Sequence, residues 1–380
     1  MKVLIVSVPL TGHLNPLVPL IDAFLAAGDD VLVATGSDIE EAVLATGAQF
    51  SPAGHGFGFW FERLMTRTRA LPGDGLAPER ILSYFLPRVF GEAAIDDMVD
   101  GVLSAATDFA PDVIVFDPFA LAAPLVADIL GVPSVHIPIT LPLSGGDLAA
   151  IDDAVCPMWR AFDRQSPGLA GLYNSVTADI WPETLGVHDV DAGTRLALRP
   201  SPTPTAPATP TELPTVYVTL GTMYGGATHV FAEVLRGLAH EQVQVVVTVG
   251  SDNDPSALDG IAANARVERY VPQAELLPTC SVVVHHGGSG TMFGAMAHGL
   301  PQVVLPQGAD NYVNADAVVA AGLGLALRPE ESSAEAICDA VLTVLRDDTF
   351  AKAAGVAAEE IAAMPSPAEF VATLWAVVGR

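Results

Sequence analysis

"VVVHHGGSGT", residues 282–291, runs three valines into two histidines and three glycines. A strand buried on both faces accounts for the valines, but core packing needs neither the histidines nor the glycines. Glycine removes Cβ and lets a ligand touch the main chain. The apolar segment that follows, from about Gly290 to His298, is helical in pattern and ends at Gly299, so the stretch reads as strand, glycine turn, helix. The first turn of a helix leaves amide N–H groups unpaired and carries roughly half a positive charge. Such a terminus binds anions, most naturally phosphate. Thr291 adds a hydroxyl, and a histidine at the strand end reaches the same anion. Adjacent strand residues face opposite sides, so at most one of the two histidines serves the site, and a two-histidine metal site is disfavoured.

Working outward, the same rhythm recurs. Val216–Leu220 is a strand ending at Gly221-Thr222, followed by a helix near Thr228–Ala239 and strands at Gln244–Val249 and Val267–Tyr270. Beyond the glycine turn come a strand at Gln302–Leu305, a helix at Asn311–Ala321, a helix opened by Ser332 and Glu335 as a capping box, and an amphipathic tail helix at Ala368–Val378. Toward the N-terminus lie strands at Lys2–Val8, Asp30–Ala34, Val113–Phe116 and Ser134–Ile137. Between them are helices at Pro16–Ala27, after a Ser37/Glu40 capping box, and at about Pro118–Leu130. This alternation predicts parallel sheets covered by helices. The proline-dense stretch "RPSPTPTAPATPTELP" nearly bisects the chain and reads as an extended linker.

The expected architecture is therefore α/β: a doubly wound domain over 1–198, a linker over 199–214, a second doubly wound domain over 215–365, and a C-terminal helix over 366–380 that can pack back on the first domain. Ligands of such folds sit at the carboxyl ends of strands, so the expected site is a cleft between two facing domains. No GxGxxG follows a predicted strand, which argues against a dinucleotide enzyme. Two stretches, Gly54–Arg88 and Leu141–Gly171, break the rhythm. They read as irregular insertions and as candidate walls for an apolar ligand.

Net charge is −27 with lysine only at Lys2 and Lys352, which excludes the basic footprint a nucleic-acid partner needs. Mean hydropathy is +0.43, yet no apolar run reaches the roughly 20 residues of a membrane span. No cleavable leader is read at the N-terminus, and Cys156, Cys280 and Cys338 are scattered without CxxC spacing, so a reducing cytoplasm is expected.

Residues 285–327, "HHGGSGTMFGAMAHGLPQVVLPQGADNYVNADAVVAAGLGLAL", together with "TGHLNP" (11–16), "YVTLGT" (217–222) and "YVPQAELLP" (270–278), resemble the motifs of family 1 glycosyltransferases. They are most similar to the bacterial branch that decorates macrolides, enediynes and other antibiotics. The resemblance implies the GT-B fold, two facing Rossmann-like domains. It implies that His286 with Gly288, Ser289, Gly290 and Thr291 holds a diphosphate, and that Gly221 and Thr222 approach it from another strand end. Val271 and Gln273 would hold the nucleobase, and Asp310 and Asn311 the sugar hydroxyls. Asn311 stands where many relatives have glutamine, which favours a dTDP-linked deoxysugar over UDP-glucose. The alternative for Asp310–Asn311 is a helix N-cap pair.

His13 follows the first predicted strand and Asp117 ends "DVIVFD" on the same sheet edge. An unperturbed imidazole, pKa ~6.5, suits proton removal near neutrality, and a carboxylate fixes its tautomer. With the resemblance, His13 is the expected general base and Asp117 its partner. The donor is a nucleoside diphosphate sugar acting as co-substrate, with no cofactor and no metal required, and the acceptor is an apolar small molecule. "DVD" (189–191) and "DND" (252–254) read as solvated turns rather than metal ligands. Two rival readings remain: a nucleotide-sugar epimerase of the same fold and a non-catalytic auxiliary of a transferase. A homodimer stays open.

Overall fold

The computed structural model describes residues 1–67, 78–187, 193–200, 212–221, 228–250 and 253–379. The linker residues 201–211, Thr222, the DVD turn and Asp252 lie outside the described residues.

In the first unit, strands β1 (Lys2–Val6), β2 (Asp30–Thr35), β3 (Gln49–Pro52), β4 (Val113–Phe116), β5 (Ser134–His136), β6 (Val176–Asp179) and β7 (Thr194–Ala197) form one sheet. Their order is β3-β2-β1-β4-β5-β6-β7, and every described pairing is parallel. The central strands read as unbroken apolar runs because helices cover both faces; Val3, Leu4, Ile5 and Val6 of β1 are wholly buried.

In the second unit, β8 (Thr215–Thr219), β9 (Gln244–Thr248), β10 (Ala265–Glu268), β11 (Val282–His285), β12 (Gln302–Val304) and β13 (Gly324–Ala326) pair in the order β10-β9-β8-β11-β12-β13, again in parallel. One face packs Val216, Val218, Val284 and Leu305 against Phe231 and Ile337; the other packs Tyr217 and Val283 against Leu276 and Ala295.

The first unit comprises Met1–Ile180, Asp189–Arg199 and Pro365–Arg380, and the second Trp181–His188 and Pro200–Met364. Residues 181–188 thus leave the expected first domain. The physical reason is Glu360 in the helix Asp348–Ala363, whose Oε2 accepts from the Thr184 backbone N–H at 2.9 Å and hydroxyl at 2.7 Å. The terminal helix Pro367–Val377 belongs to the first unit. Ser366 and Glu369 cap it reciprocally. Its Trp375 stacks obliquely on Phe24 at 5.6 Å and donates its indole N–H to buried Asp29 at 3.0 Å, a carboxylate that also holds the N-terminal ammonium at 2.8 Å. Burial of Phe370, Leu374 and Trp375 contributes roughly 1.5–3 kcal/mol per side chain.

Several local expectations change. Ser37 caps nothing by its side chain; Gly36 precedes a 3₁₀ turn at Ser37–Ile39. The cap of the helix Ala334–Arg346 is Ser333, which accepts from the Ala336 N–H at 3.2 Å, while Ser332 donates to the carbonyls of Leu327 and Arg328. Asp310 occupies an N-cap position without a side-chain cap bond. The stretches expected to be irregular are largely helical. Among its described residues, Phe57–Arg67, Pro78–Leu86 and the start of a π-helical segment, Pro87–Ala94, occupy the first, and the 17-residue helix Gly145–Ala161 fills much of the second. Glycine, proline and aromatic residues hid these helices, whose apolar faces become visible only against their neighbours.

Candidate active site

In each sheet the strand order reverses between two central strands, β1 and β4 in the first unit and β8 and β11 in the second. Loops leaving adjacent strand ends at such a point splay to opposite faces and open a crevice. His13 and Asp117 sit at the first of these places and Gly221 and the His286–Thr291 turn at the second, whereas Val271 and Gln273 follow β10 and Asp310 and Asn311 follow β12.

In the first unit, β1 leads into a short helix, Thr11–Leu14, that carries His13. Asp117 follows β4. Its Oδ1 accepts from His13 Nδ1 at 3.1 Å and from the Phe119 N–H at 2.8 Å, and its Oδ2 accepts from the Val8 N–H at 2.8 Å. Asp117 is wholly buried. Burial alone would raise its carboxyl pKa, but the His13 charge and hydrogen bond and the two backbone donors outweigh that and hold it below the usual carboxylate range. The carboxylate therefore accepts a hydrogen bond from Nδ1–H of His13, leaving Nε2 as the basic position. The ring is 12% exposed and lies 5.4 Å from Phe119 and 6.4 Å from Phe90. Asp112 points elsewhere: it accepts from the Lys2 N–H at 2.8 Å at the opposite end of the strands.

The π-helical segment aims Phe90 at this pair, a use common to such segments. Phe90 stacks on Phe119 at 4.5 Å, and ring contacts continue from Phe90 to Phe57 and Trp60 and from Phe57 through Phe61 to Phe85. An aromatic wall thus starts at His13. Behind Asp117, His136 was not singled out from sequence. It packs against Phe116 and Tyr173, and burial lowers its pKa to about 3 although Asp117 pulls the other way. A neutral His136 leaves the Asp117 charge to His13.

In the second unit the glycine turn precedes the helix Ser289–Ala297, which has no side-chain cap, so its leading amides lack intrahelical partners. Space around Gly290 is open: a methyl group there would meet nothing within 4 Å. The other glycines are closed in. A methyl group at Gly221 would stand 2.6 Å from His286 Cε1, and one at Gly288 would stand 2.5 Å from His286 Nε2. These two residues lack side chains to admit the imidazole, which the sequence reading had attributed to a ligand. Burial lowers the His286 pKa to about 4, so it acts as a neutral group. His285 is structural: Gly287 N–H donates to its Nδ1 at 3.1 Å, which leaves Nε2–H to donate to Gln302 Oε1 at 2.8 Å. Burial, the neighbouring His286 and, in opposition, Gln302 set its pKa at about 3.

The remaining donor-side residues form two bonded groups. Gln273 donates to Thr291 Oγ1 at 3.1 Å, tying the 271–273 loop to the turn, while Val271 packs beside Tyr217 and Val283. Ser289 donates to Asp310 Oδ2 at 3.0 Å. Asn314, missed in the sequence, joins them through one amide nitrogen, which donates to Gly287 O at 2.7 Å, Ser289 Oγ at 2.9 Å and Asp310 Oδ2 at 3.1 Å. Its only sequence signal was a polar residue on the apolar face of a helix. Asn311 is buried, accepts from Gly308 N–H at 3.3 Å and donates to Asp310 at 3.3 Å, so its side chain supports the turn. Ala309, just before Asp310, holds a left-handed φ of 51°. Among the described residues, no group of three or more His, Cys, Asp or Glu side chains could hold a metal ion. None of the described helices is long and apolar enough to cross a membrane.

Residues 232–377 match the family described as Erythromycin biosynthesis protein CIII-like, C-terminal domain. Elloramycin glycosyltransferase ElmGT of Streptomyces olivaceus is 32% identical over 100% of this chain and 98% of its own. L-demethylnoviosyl transferase of Streptomyces niveus is 32% identical over 97% of this chain and 96% of its own. Spinosyn rhamnosyltransferase SpnG, solved with thymidine diphosphate, is 27% identical with a TM-score of 0.80 over 98% of this chain and 100% of its own, and has also been solved with spinosyn aglycone. The two doubly wound sheets and this whole-length similarity agree, and the chain belongs to the antibiotic glycosyltransferases of GT-B fold.

Proposed function

We propose that this glycosyltransferase moves a deoxysugar from a nucleoside diphosphate, dTDP in preference to UDP, to a hydroxyl of an apolar natural-product aglycone, with inversion at the anomeric carbon. The observation that carries the acid–base part is the His13–Asp117 pair at the β1–β4 switch point. Nε2 of His13 takes the proton of the acceptor hydroxyl while that oxygen bonds to the anomeric carbon. The bond to the diphosphate breaks on the opposite face, which inverts the centre. Asp117 stabilises the resulting imidazolium without taking the proton. General-base help of this kind contributes about 10²–10⁴ in rate.

The leaving diphosphate gains charge as the bond breaks. The open amides at Gly290 and Thr291 and the neutral imidazole of His286 are the donors that meet it, and preorganised donors act on charge that develops in the transition state. This reading needs no metal and no cofactor. The 271–273 loop takes the nucleobase, and Asp310 the sugar. Relatives named for a demethylnoviosyl and a rhamnosyl transfer, one solved with thymidine diphosphate, support a dTDP-linked deoxysugar. The aromatic wall from Phe119 to Phe85 suits a flat apolar acceptor.

The test is incubation with dTDP-rhamnose or UDP-glucose and a hydroxylated anthraquinone, with products read by mass spectrometry. A rhamnosylated quinone is the expected product. Consumption of the nucleotide sugar without any acceptor would replace transfer by epimerisation, and glucosylation alone would reverse the donor preference.

A further inference from the structure

A second histidine–aspartate pair lies in the first unit, away from His13. His55 follows β3, at the same carboxyl edge of the sheet as His13 and Asp117. Its Nδ1 lies 2.7 Å from Asp97 Oδ1. The other oxygen of Asp97 accepts from the His55 backbone N–H at 2.5 Å and from the Trp60 indole N–H at 2.8 Å. Burial would raise the Asp97 carboxyl pKa, but these donors hold it below its ordinary value. An ionised carboxylate only accepts, so the imidazole donates from Nδ1 and presents Nε2 as an acceptor. The ring also stacks on Phe59 at 4.2 Å and 23°.

The side chain is nevertheless 65% exposed. The fold does not need it ordered, because the backbone N–H and Trp60 already anchor Asp97. Ordering an exposed side chain costs conformational entropy, so the orientation calls for a use. That use is suggested by what lies beside it. Phe57, two residues on, belongs to the ring chain that runs through Phe90 to His13. One aspartate-held imidazole thus meets this aromatic wall at Phe90 and Phe119, and a second lies two residues before Phe57 of the same wall.

We propose that His55 is a specificity-determining residue for the acceptor: Nε2 accepts a hydrogen bond from a hydroxyl on the part of a flat aromatic acceptor remote from the reacting one. This rests on the acceptor reading above, with His13 receiving the reacting hydroxyl.

The test uses the full chain and spectroscopic binding titrations of two anthraquinones, one hydroxylated on both outer rings and one on a single ring. The wild type is expected to bind the doubly hydroxylated compound about tenfold more tightly, the gain from one good neutral hydrogen bond. His55→Phe should erase that preference, keep the affinity for the singly hydroxylated compound and keep the thermal midpoint; His55→Gln, which retains a polar terminus, should restore part of the preference. His13→Ala should retain the preference while weakening both compounds. An unchanged preference in His55→Phe overturns the proposal and leaves the His13 reading intact. Equal weakening of both compounds with a fallen midpoint also overturns it, by making His55 structural. Failure of the wild type to bind either compound overturns the acceptor reading and this proposal together.

Discussion

The two units put their candidate residues at the same kind of topological point and use opposite means. At the β1–β4 switch, side chains act: a buried carboxylate with three hydrogen bonds holds one imidazole, and aromatic rings surround it. At the β8–β11 switch, side chains are withdrawn. Gly221 and Gly288 are bare so that His286 fits, Gly290 is bare with open space before it, and the helix start carries no side-chain cap. On the proposed function, the difference follows from the chemistry each side would face. Proton transfer needs a basic atom at a fixed position, whereas a diphosphate is gripped best by several backbone amides at once.

The largest expected effect separates the two regions. His13→Ala should lower kcat by about 10²–10⁴ and leave nucleotide affinity unchanged, as read by steady-state kinetics and calorimetry. A loss of nucleotide affinity in this variant would blur the division.

Acid should distinguish the regions through stability. His136, His285 and His286 have folded pKa values of about 3, 3 and 4, against an ordinary ~6.5 when unfolded. Between those values the unfolded chain binds more protons, so this stability is complete above about pH 6.5 and is lost as pH falls toward 4. From pH 7 to 5.5 each histidine costs about 1 kcal/mol, or about 3–4 kcal/mol together. Asp117, whose pKa is lowered from 3.8, contributes nothing in that window, because its stabilisation is present above about pH 4 and is lost only below. Denaturant unfolding at the two pH values checks this; the second unit, with two of the three histidines, should lose more.

A smaller contrast uses the glycines. Gly221→Ala meets His286 and a φ of +69°, so it should destabilise by about 1–2 kcal/mol and weaken nucleotide binding about tenfold. Gly12→Ala, beside His13 with nothing within 4 Å, should leave stability within about 0.5 kcal/mol. A single-residue effect of similar size to that of Gly221→Ala concerns Ala309, whose left-handed backbone stores about 1 kcal/mol. Ala309→Gly should recover that in denaturant titrations, and no gain would mean the conformation is not strained.

Central strands were legible because burial on both faces leaves apolar runs; β1, β4 and β11 read KVLIV, VIVF and VVVH, and β8, TVYVT, alternates apolar residues with threonine and is wholly buried. The outer strands β3, β6 and β7 read QFSP, VTAD and TRLA, too short and too polar to stand out. That His13, Asp117 and the glycine turn follow strands was legible from the sequence, but the catalytic roles expected of His13 and Asp117 came only with the family resemblance. The roles of Gly221 and Gly288 were not, because a missing Cβ looks the same whether a ligand or an imidazole fills the space. Asn314 and His136 were hidden because nothing local separates a buried polar organiser from an ordinary helix or strand residue.

The most direct measurement is calorimetric titration of thymidine diphosphate into the wild type, His286→Ala and His13→Ala. The account predicts that affinity falls at least about tenfold in His286→Ala, the loss of one good hydrogen bond, and stays at the wild-type level in His13→Ala. Unchanged affinity in His286→Ala, or a fall confined to His13→Ala, would contradict it.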